Sequence, residues 1–154
     1  MKRSKNRLMI EQLDSKLKKF DSIWLKGTPS RGWIHAVRTS LRMSMRQLGK
    51  RMGKSTQSVA HFERAEASGS ITIKSLRRAG DALGLSLVYG FVPKDKSLEA
   101  MIERRALEVA REIVMRTSHS MKLENQENTP ERIDKAIRER AYELTMELPK
   151  HLWD

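Results

Sequence analysis

Cysteine is absent from the 154-residue chain, which excludes a disulfide framework, a thiolate metal site and a cysteine nucleophile. Aromatic residues make up only 5% of the sequence. No apolar run approaches the roughly 20 residues that a membrane-spanning helix needs. The N-terminal stretch MKRSKNRLMIEQ is basic but lacks the apolar core of a signal peptide. These absences predict a cytoplasmic protein with no membrane segment.

Motifs for catalysis and metal binding are also missing. The four histidines show no metal-ligand spacing; they are His35, His61, His119 and His151. The sequence contains no phosphate-binding glycine loop, no nucleophile elbow and no carboxylate pair placed for acid–base work. We therefore expect neither an enzyme activity nor a cofactor or metal ion.

Acidic residues are scarce in the first two-thirds of the chain. Residues 1–96 contain 21 Lys and Arg against 7 Asp and Glu, whereas residues 97–154 contain 10 against 12. Lys and Arg that neutralise phosphates release condensed counterions, so this basic part favours nucleic-acid binding. A basic surface can also serve solubility or membrane contact, and charge alone leaves those alternatives open.

The hydrophobic spacing predicts an all-α protein with one short strand. Residues 1–25 are expected to form an N-terminal helical extension, residues 31–93 a compact domain, and residues 97–154 a C-terminal helical region. LSLVYGFVP, residues 85–93, alternates and is rich in β-branched and aromatic residues, which predicts the strand. In the C-terminal region, Thr129 and Pro130 predict the start of the last helix.

The segment SMRQLGKRMGKSTQSVAHFERAEA, residues 44–67, has the pattern of two short helices around a turn. Ser44 and Gln47 form a capping-box pattern, which predicts that a helix begins there. Gly53 suits the turn because glycine readily takes a positive φ, and Ser55 can cap the next helix. Such a pair makes a helix-turn-helix, whose second helix enters the major groove of DNA.

Polar side chains fall on the face of this second helix opposite Val59 and Phe62. Gln can bond an adenine edge bidentately, Thr can offer its methyl group to thymine, and Ser and His can donate or accept. We predict base contacts from Thr56, Gln57, Ser58 and His61. We predict phosphate contacts, which position the protein without selecting a sequence, from Arg42, Arg46, Lys50, Lys54 and Arg64. Glu63 and Glu66 are expected to form salt bridges with Arg64 or a neighbour.

The segments WIHAVRTSLRMSMRQLGKRMGKSTQSVAHFERAE and ITIKSLRRAGDALGL resemble the Xre/Cro-type helix-turn-helix domain over roughly residues 31–85. The hydrophobic anchors that fit the resemblance are Val37, Leu41, Leu48, Val59, Phe62, Leu76 and Leu83. Many members have a Gln just after the Ser-like cap, where it supports the recognition helix and a phosphate contact. This chain has Met45 there, which puts that one contact in doubt.

The full chain resembles the mobile mystery protein A family in its N-terminal helical extension, central domain, LVYGFVPK segment and helical tail. Members of that family are usually encoded beside a Fic-domain protein, mobile mystery protein B. Fic proteins transfer AMP from ATP to hydroxyl groups of target proteins. The resemblance therefore implies an antitoxin that represses its own operon and silences a Fic-domain partner.

Many Fic proteins are held inactive by a helix with Ser or Thr, three residues, Glu, and then Gly or Asn. SMKLEN matches this pattern with Ser120, Glu124 and Asn125. Residues four apart share a helix face, and a Glu near a phosphate-binding Arg competes as a charge-assisted partner. SMKLEN also fits an ordinary helix surface. In that case the chain is a dimeric, sequence-specific transcription regulator without an enzyme partner.

A homodimer is expected because one helix-turn-helix reads only a short half-site of double-stranded DNA, the operator. The strand predicted at residues 85–92 has no partner strand in the chain, so it can pair across a two-fold axis. The N-terminal helix, with Leu13, Leu17 and Phe20, is the other candidate interface.

Overall fold

The computed structural model describes residues 2–123 and 129–154, and the regular elements within them are all helical. The α-helices are α1 (Lys2–Leu17), α2 (Asp21–Lys26), α3 (Trp33–Ser40), α4 (Met45–Met52), α5 (Thr56–Ser68), α6 (Ile73–Ala82), α7 (Leu98–Leu123) and α8 (Pro130–Glu147). Short 3-10 turns cover Lys18–Phe20 and Lys150–Trp153. The chain divides into two compact units, residues 22–90 and residues 1–21 together with 91–154.

In unit 22–90, short polar side chains set where the helices begin. The predicted capping box is present: Gln47 N donates to Ser44 Oγ at 3.1 Å, and Ser44 N donates to Gln47 Oε1 at 2.7 Å. Ser55 caps α5, as predicted, and Thr72 caps α6 in the same way. These bonds use backbone donors that have no partner inside the helix, and each cap stabilises by about 1 kcal/mol.

The core of unit 22–90 lies between α3, α4, α5 and α6. Its buried members are Ile34, Leu48, Met52, Val59, Ala79 and Leu83. The anchors Val37, Phe62 and Leu76 are partly buried and pack against this core. Leu41 was expected to be an anchor as well, but its side chain is 57% exposed. Because α3 ends at Ser40, Leu41 lies beyond the buried face of that helix.

The strand predicted at residues 85–93 is wrong. These residues form no regular element, and the described part of the chain holds no strand with which they could pair. A strand is stabilised by backbone hydrogen bonds to a neighbour, so strand propensity without a partner gives only an irregular segment. Leu85 N instead donates to Gly80 O at 2.9 Å, at the end of α6. Val88 and Tyr89 remain exposed.

The other unit is built on α7 and α8, which pack along each other. Its buried core consists of Ile102, Ala106, Val109, Ala110, Ile137, Leu144 and Leu152. Thr129 caps α8 by accepting from Arg132 N at 3.3 Å, with Pro130 in the first turn as predicted. None of the helices in residues 2–123 and 129–154 is long and apolar enough to cross a membrane.

The N-terminal helix joins this unit through a capping carboxylate. Asp14 Oδ1 accepts from Leu98 N at 2.7 Å, and Asp14 Oδ2 accepts from Glu99 N at 3.2 Å. The carboxylate therefore caps α7 from a different helix, and its charge is favourable at that N-terminus. Ile10 packs against the core of the unit. The division at 1–25, 31–93 and 97–154 stays a prediction, and the contacts group residues 1–21 with the C-terminal helices.

Candidate nucleic-acid interface

Two glycines shape the turn between α4 and α5. Gly53 has a φ of 63°, in the left-handed region that the sequence predicted for it. Gly49 lies inside α4, and a Cβ there would be 2.7 Å from the carbonyl oxygen of Lys54. Lys54 N also donates to Gly49 O at 2.8 Å. The carbonyl group of Lys54 thus lies closer to α4 than any side chain at position 49 would permit. This close approach sets the direction in which α5 leaves the turn.

The first turn of α5 presents its polar side chains outward. Thr56, Gln57 and His61 are exposed, whereas Val59 is fully buried on the opposite face. Gln57 and His61 are four residues apart and so share one face of the helix. Ser58 differs from the other three predicted base contacts. It is half-buried, and its Oγ lies 3.0 Å from the Oγ of Ser55 at the cap.

The five predicted phosphate contacts all have exposed side chains: Arg42, Arg46, Lys50, Lys54 and Arg64. Within the described residues, the ion pairs of unit 22–90 involve Arg38 and His35 with Glu63, and not these five cations. Their charges are therefore not neutralised by carboxylates of the same unit. Such side chains are available to displace counterions from a polyanion.

Glu63 of α5 points into the unit and joins α5 to α3. Arg38 donates from Nε to Glu63 Oε1 at 2.5 Å and from Nη2 to Oε2 at 3.2 Å. His35 Nδ1 lies 3.0 Å from the same Oε2, and Arg38 and Glu63 are only 7% and 5% exposed. Burial opposes ionisation of Glu63, but the hydrogen bonds and charges of Arg38 and His35 outweigh it and lower the pKa of the carboxyl.

Glu66, one turn later, holds the N-terminus of α3. Its Oε1 accepts from Trp33 N at 2.8 Å and its Oε2 accepts from Ile34 N at 2.9 Å. The carboxylate thereby satisfies two backbone donors that the helix itself leaves unpaired. The salt bridge expected for Glu63 is therefore formed with the neighbouring Arg38 and not with Arg64, whereas Glu66 accepts backbone hydrogen bonds.

Because the carboxylates of Glu63 and Glu66 point into unit 22–90, they affect the net charge at its surface. Residues 22–90 contain twelve Lys and Arg but only three Asp and Glu, which are Glu63, Glu66 and Asp81. Two of these three anions are used inside the unit, and only one cation, Arg38, is buried with them. The side of α5 that carries Gln57 is consequently free of its own acidic residues.

The sequence alone did not predict that Arg38 and His35 of α3 bind the carboxylate of Glu63. A signal was present: His35 and Arg38 are three apart on α3, and Glu63 and Glu66 are three apart on α5. Each pair occupies one face of its helix, so a basic row was available to meet an acidic one. Choosing that pairing required knowing that α3 packs on α5.

The predicted Fic-inhibitory residues belong to the end of α7 and the residues after it. Ser120 is exposed on α7, and its Oγ donates to Arg116 O at 3.2 Å. Glu124 and Asn125 lie outside the described residues. The described residues also contain no group of three His, Asp or Glu that could hold a metal ion.

Comparison with known proteins agrees with the geometry of unit 22–90. Residues 34–89 match the family model described as helix-turn-helix. No curated protein and no solved structure matches the chain. The matched range runs from α3 through α6 and contains the capped α4, the Gly53 turn and the exposed first turn of α5. The chain therefore carries an Xre/Cro-type helix-turn-helix domain, which is the domain of a DNA-binding transcription regulator.

Proposed function

We propose that the protein is a sequence-specific repressor that binds the operator of its own operon, and that it is also the antitoxin of a Fic-domain enzyme. One observation carries the DNA-binding part of this proposal. Within the range matched by the helix-turn-helix model, α5 begins with exposed Thr56 and Gln57 and is bordered by unpaired cations. Such a helix is built to enter the major groove with its first residues toward the base edges.

In the proposed complex, each group of side chains has a separate task. The Gln57 amide can donate to and accept from one adenine edge, while the Thr56 methyl group can contact a thymine methyl. His61 lies one turn further along the same face. Arg42, Arg46, Lys50, Lys54 and Arg64 contact phosphates and set the register of α5 in the groove. Gly49 and Gly53 keep α4 and α5 in the geometry that this register requires.

The DNA-binding proposal is tested by comparing Gln57→Ala with Lys50→Ala, one predicted base contact and one predicted phosphate contact. The DNA is the control region of the operon, with an unrelated duplex as competitor, titrated over a series of salt concentrations. We expect Gln57→Ala to cost about 1–3 kcal/mol on the operator and to relax selectivity at one base pair. We expect Lys50→Ala to weaken binding to both duplexes and to reduce the salt slope by about 1.

Each failure has a distinct meaning. Equal weakening on both duplexes by Gln57→Ala would remove Gln57 as a base contact. If wild type shows no preference for the operator at any salt concentration, the repressor proposal fails and a non-specific DNA-binding protein remains.

The antitoxin part is supported by SMKLEN and by the resemblance of the whole chain to a family encoded beside Fic-domain proteins. Ser120 is exposed on the helix that leads to Glu124. α7, which carries Ser120, belongs to the other unit from α5, the helix proposed to read DNA, so one chain can carry both functions. In the proposal, Glu124 pairs with an Arg of the Fic site, and the γ-phosphate of ATP then cannot settle in a productive position.

The antitoxin proposal is tested by co-expressing the chain with the Fic-domain protein of the neighbouring gene and assaying AMP transfer. Glu124→Gly is compared with Glu112→Gly, a matched loss of an exposed carboxylate on α7. We expect both variants to co-purify with the enzyme. Only Glu124→Gly should lose the inhibition, so that AMP transfer is observed. If the proteins do not associate, or if the two variants behave alike, the protein is a DNA-binding regulator without this partner.

A further inference from the structure

The unit built on α7 and α8 contains a cavity where α1 meets these two helices. Its volume is about 550 Å³, within the range of about 300–1,000 Å³ that small-molecule sites in proteins occupy. All three helices supply apolar walls: Ile10 of α1, Ile102 of α7, and Met146 and Leu148 at the end of α8. Protein interiors leave few gaps larger than a water molecule, so a space of this size is a candidate binding site.

The buried part of the cavity lining is apolar. Ile102 is only 6% exposed, and Ile10 and Leu148 are half-buried. Leu8 and Met146, by contrast, are 54% and 41% exposed although they line the same cavity. A ligand with an apolar body would remove both of these side chains from water. That burial is the main source of affinity that the cavity offers.

The charged side chains lie at the exposed part of the cavity. Within the described part of the chain they are Arg7, Glu11 and Glu99. Arg7 Nη2 lies 3.9 Å from Glu99 Oε1, and Arg7 Nη1 donates at 3.2 Å to the sulfur of Met146, a weak acceptor. Glu11 has no hydrogen bond or ion pair among the described residues. Two carboxylates and one guanidinium leave a net charge of −1 at the cavity.

We propose that this cavity binds an amphipathic organic amine, with the apolar body against Ile10 and Ile102 and the protonated nitrogen at the carboxylate of Glu11. Charge complementarity selects this class, because an anion would find only Arg7 and would meet two carboxylates. A protonated amine has three N–H donors, and Glu11 accepts from them without losing another partner. The site is separate from the proposed function, because none of the described residues assigned to DNA binding or Fic inhibition lines the cavity.

A bound amine would contact α1, α7 and α8 at the same time. Without it, α1 is joined to the unit through the Asp14 cap and through Ile10. The ligand adds contacts at Leu8 and Glu11, which precede Asp14 in α1. The amine therefore acts as an effector that holds α1 against α7 and α8.

The first test compares three probes with the same alkyl chain and different head groups: octylamine, octan-1-ol and octanoate. Binding to the full-length protein is measured by isothermal titration calorimetry. Since the chain carries a net charge of +12, non-specific attraction favours octanoate over octylamine. We expect the opposite order, with octylamine binding most tightly and octanoate least. A preference for octanoate, or the absence of saturable binding of octylamine, overturns the proposal.

The partner of the amine is tested by Glu11→Gln, which removes one carboxylate and keeps the size of the side chain. Glu103→Gln is the matched control, because Glu103 is an exposed carboxylate of α7 that does not line the cavity. We expect Glu11→Gln to weaken octylamine binding about two- to fivefold, the effect of one exposed ion pair, and to leave octan-1-ol unchanged. Glu11→Lys should reverse the order, so that octanoate binds best. Equal octylamine affinity of Glu11→Gln and Glu103→Gln refutes the assignment.

The second test locates the bound probe by hydrogen exchange and mass spectrometry of the full-length protein. At about ten times its dissociation constant, octylamine should slow exchange about tenfold in α1 and in the first turn of α7. Unit 22–90 also has an apolar groove, which Trp33, Leu76 and Leu83 help to line, but no charged side chain lines that groove among the described residues. Binding there would not distinguish the three head groups. Slowing confined to residues 22–90 therefore refutes the proposed site.

Discussion

Replacing Glu63 by Gln removes the buried anion that α3 and α5 share while keeping the size of the side chain. Arg38 then loses the carboxylate that it contacts through Nε and Nη2, but it keeps the carbonyl oxygen of Met43, which accepts from Nη1 at 2.8 Å. Breaking a buried ion pair on one side costs about 3–5 kcal/mol, because the remaining charge has no counterion. Since Arg38 retains one acceptor, we expect the free energy of unfolding to fall by about 3 kcal/mol, the lower end of that range.

The assay is hydrogen exchange of the intact protein, followed by mass spectrometry on peptides that cover α3 and α5. A loss of 3 kcal/mol accelerates the slowest exchanging amides about 10²-fold, because 1.36 kcal/mol corresponds to a factor of about ten. Asp81→Asn is the matched control, since Asp81 is an exposed carboxylate of the same unit. We expect Asp81→Asn to change stability by less than about 0.5 kcal/mol. If the two variants exchange at the same rate, the buried pair does not hold α3 to α5.

The buried pair of Arg38 and Glu63 also predicts how the stability of the protein changes at low pH. The pKa of Glu63 lies below its ordinary value of 4.5, so the folded state favours the ionised carboxylate. Its contribution to stability is fully present above about pH 4.5 and is lost as the pH falls through the lower value of the folded state. The difference in urea stability between wild type and Glu63→Gln should therefore narrow below pH 4.5. A difference that stays constant or widens on acidification contradicts this reasoning.

Two further substitutions test the turn and the link between α1 and α7. Gly49→Ala should lower stability by about 1–3 kcal/mol, because the new Cβ would meet Lys54 O at 2.7 Å. Gly80→Ala is its control: the nearest atom lies at 3.4 Å, and the helix should gain about 0.5–1 kcal/mol, so the two melting temperatures should move in opposite directions. Asp14→Ala should cost about 1 kcal/mol through loss of the α7 cap and should speed amide exchange in the first turn of α7. Unchanged exchange at Leu98 and Glu99 would show that this cap contributes nothing.

The features that the sequence predicted correctly act over a few residues. Ser44 with Gln47, Gly53 and Ser55 each shape the backbone within four positions of themselves, so their effect can be deduced from spacing alone. The exposure of Gln57 follows in the same way once Val59 is assigned to the core. The base contacts assigned to α5 and the phosphate contacts assigned to the cations around it stay predictions, since they involve DNA, a second molecule.

The features that the sequence did not reveal depend on partners distant in the chain. Arg38 and Glu63 are 25 residues apart, and their pairing follows from the packing of α3 on α5 and not from local propensity. Gly49 looks like an ordinary helix position until the carbonyl of Lys54 is placed against it. Residues 85–93 have the composition of a strand, but pairing requires a second strand, which the described residues do not supply.

The cap that Asp14 provides to α7 also fixes an order of events during synthesis. Leu98 is made 84 residues after Asp14, and the whole of unit 22–90 lies between them. As the chain emerges, the core residues of unit 22–90 are all present before the first turn of α7, which Asp14 caps, has been made. Ile10 must wait for the core built on Ile102 and Leu144. A domain inserted in this way can complete its own contacts before the unit that surrounds it in sequence is closed by α1.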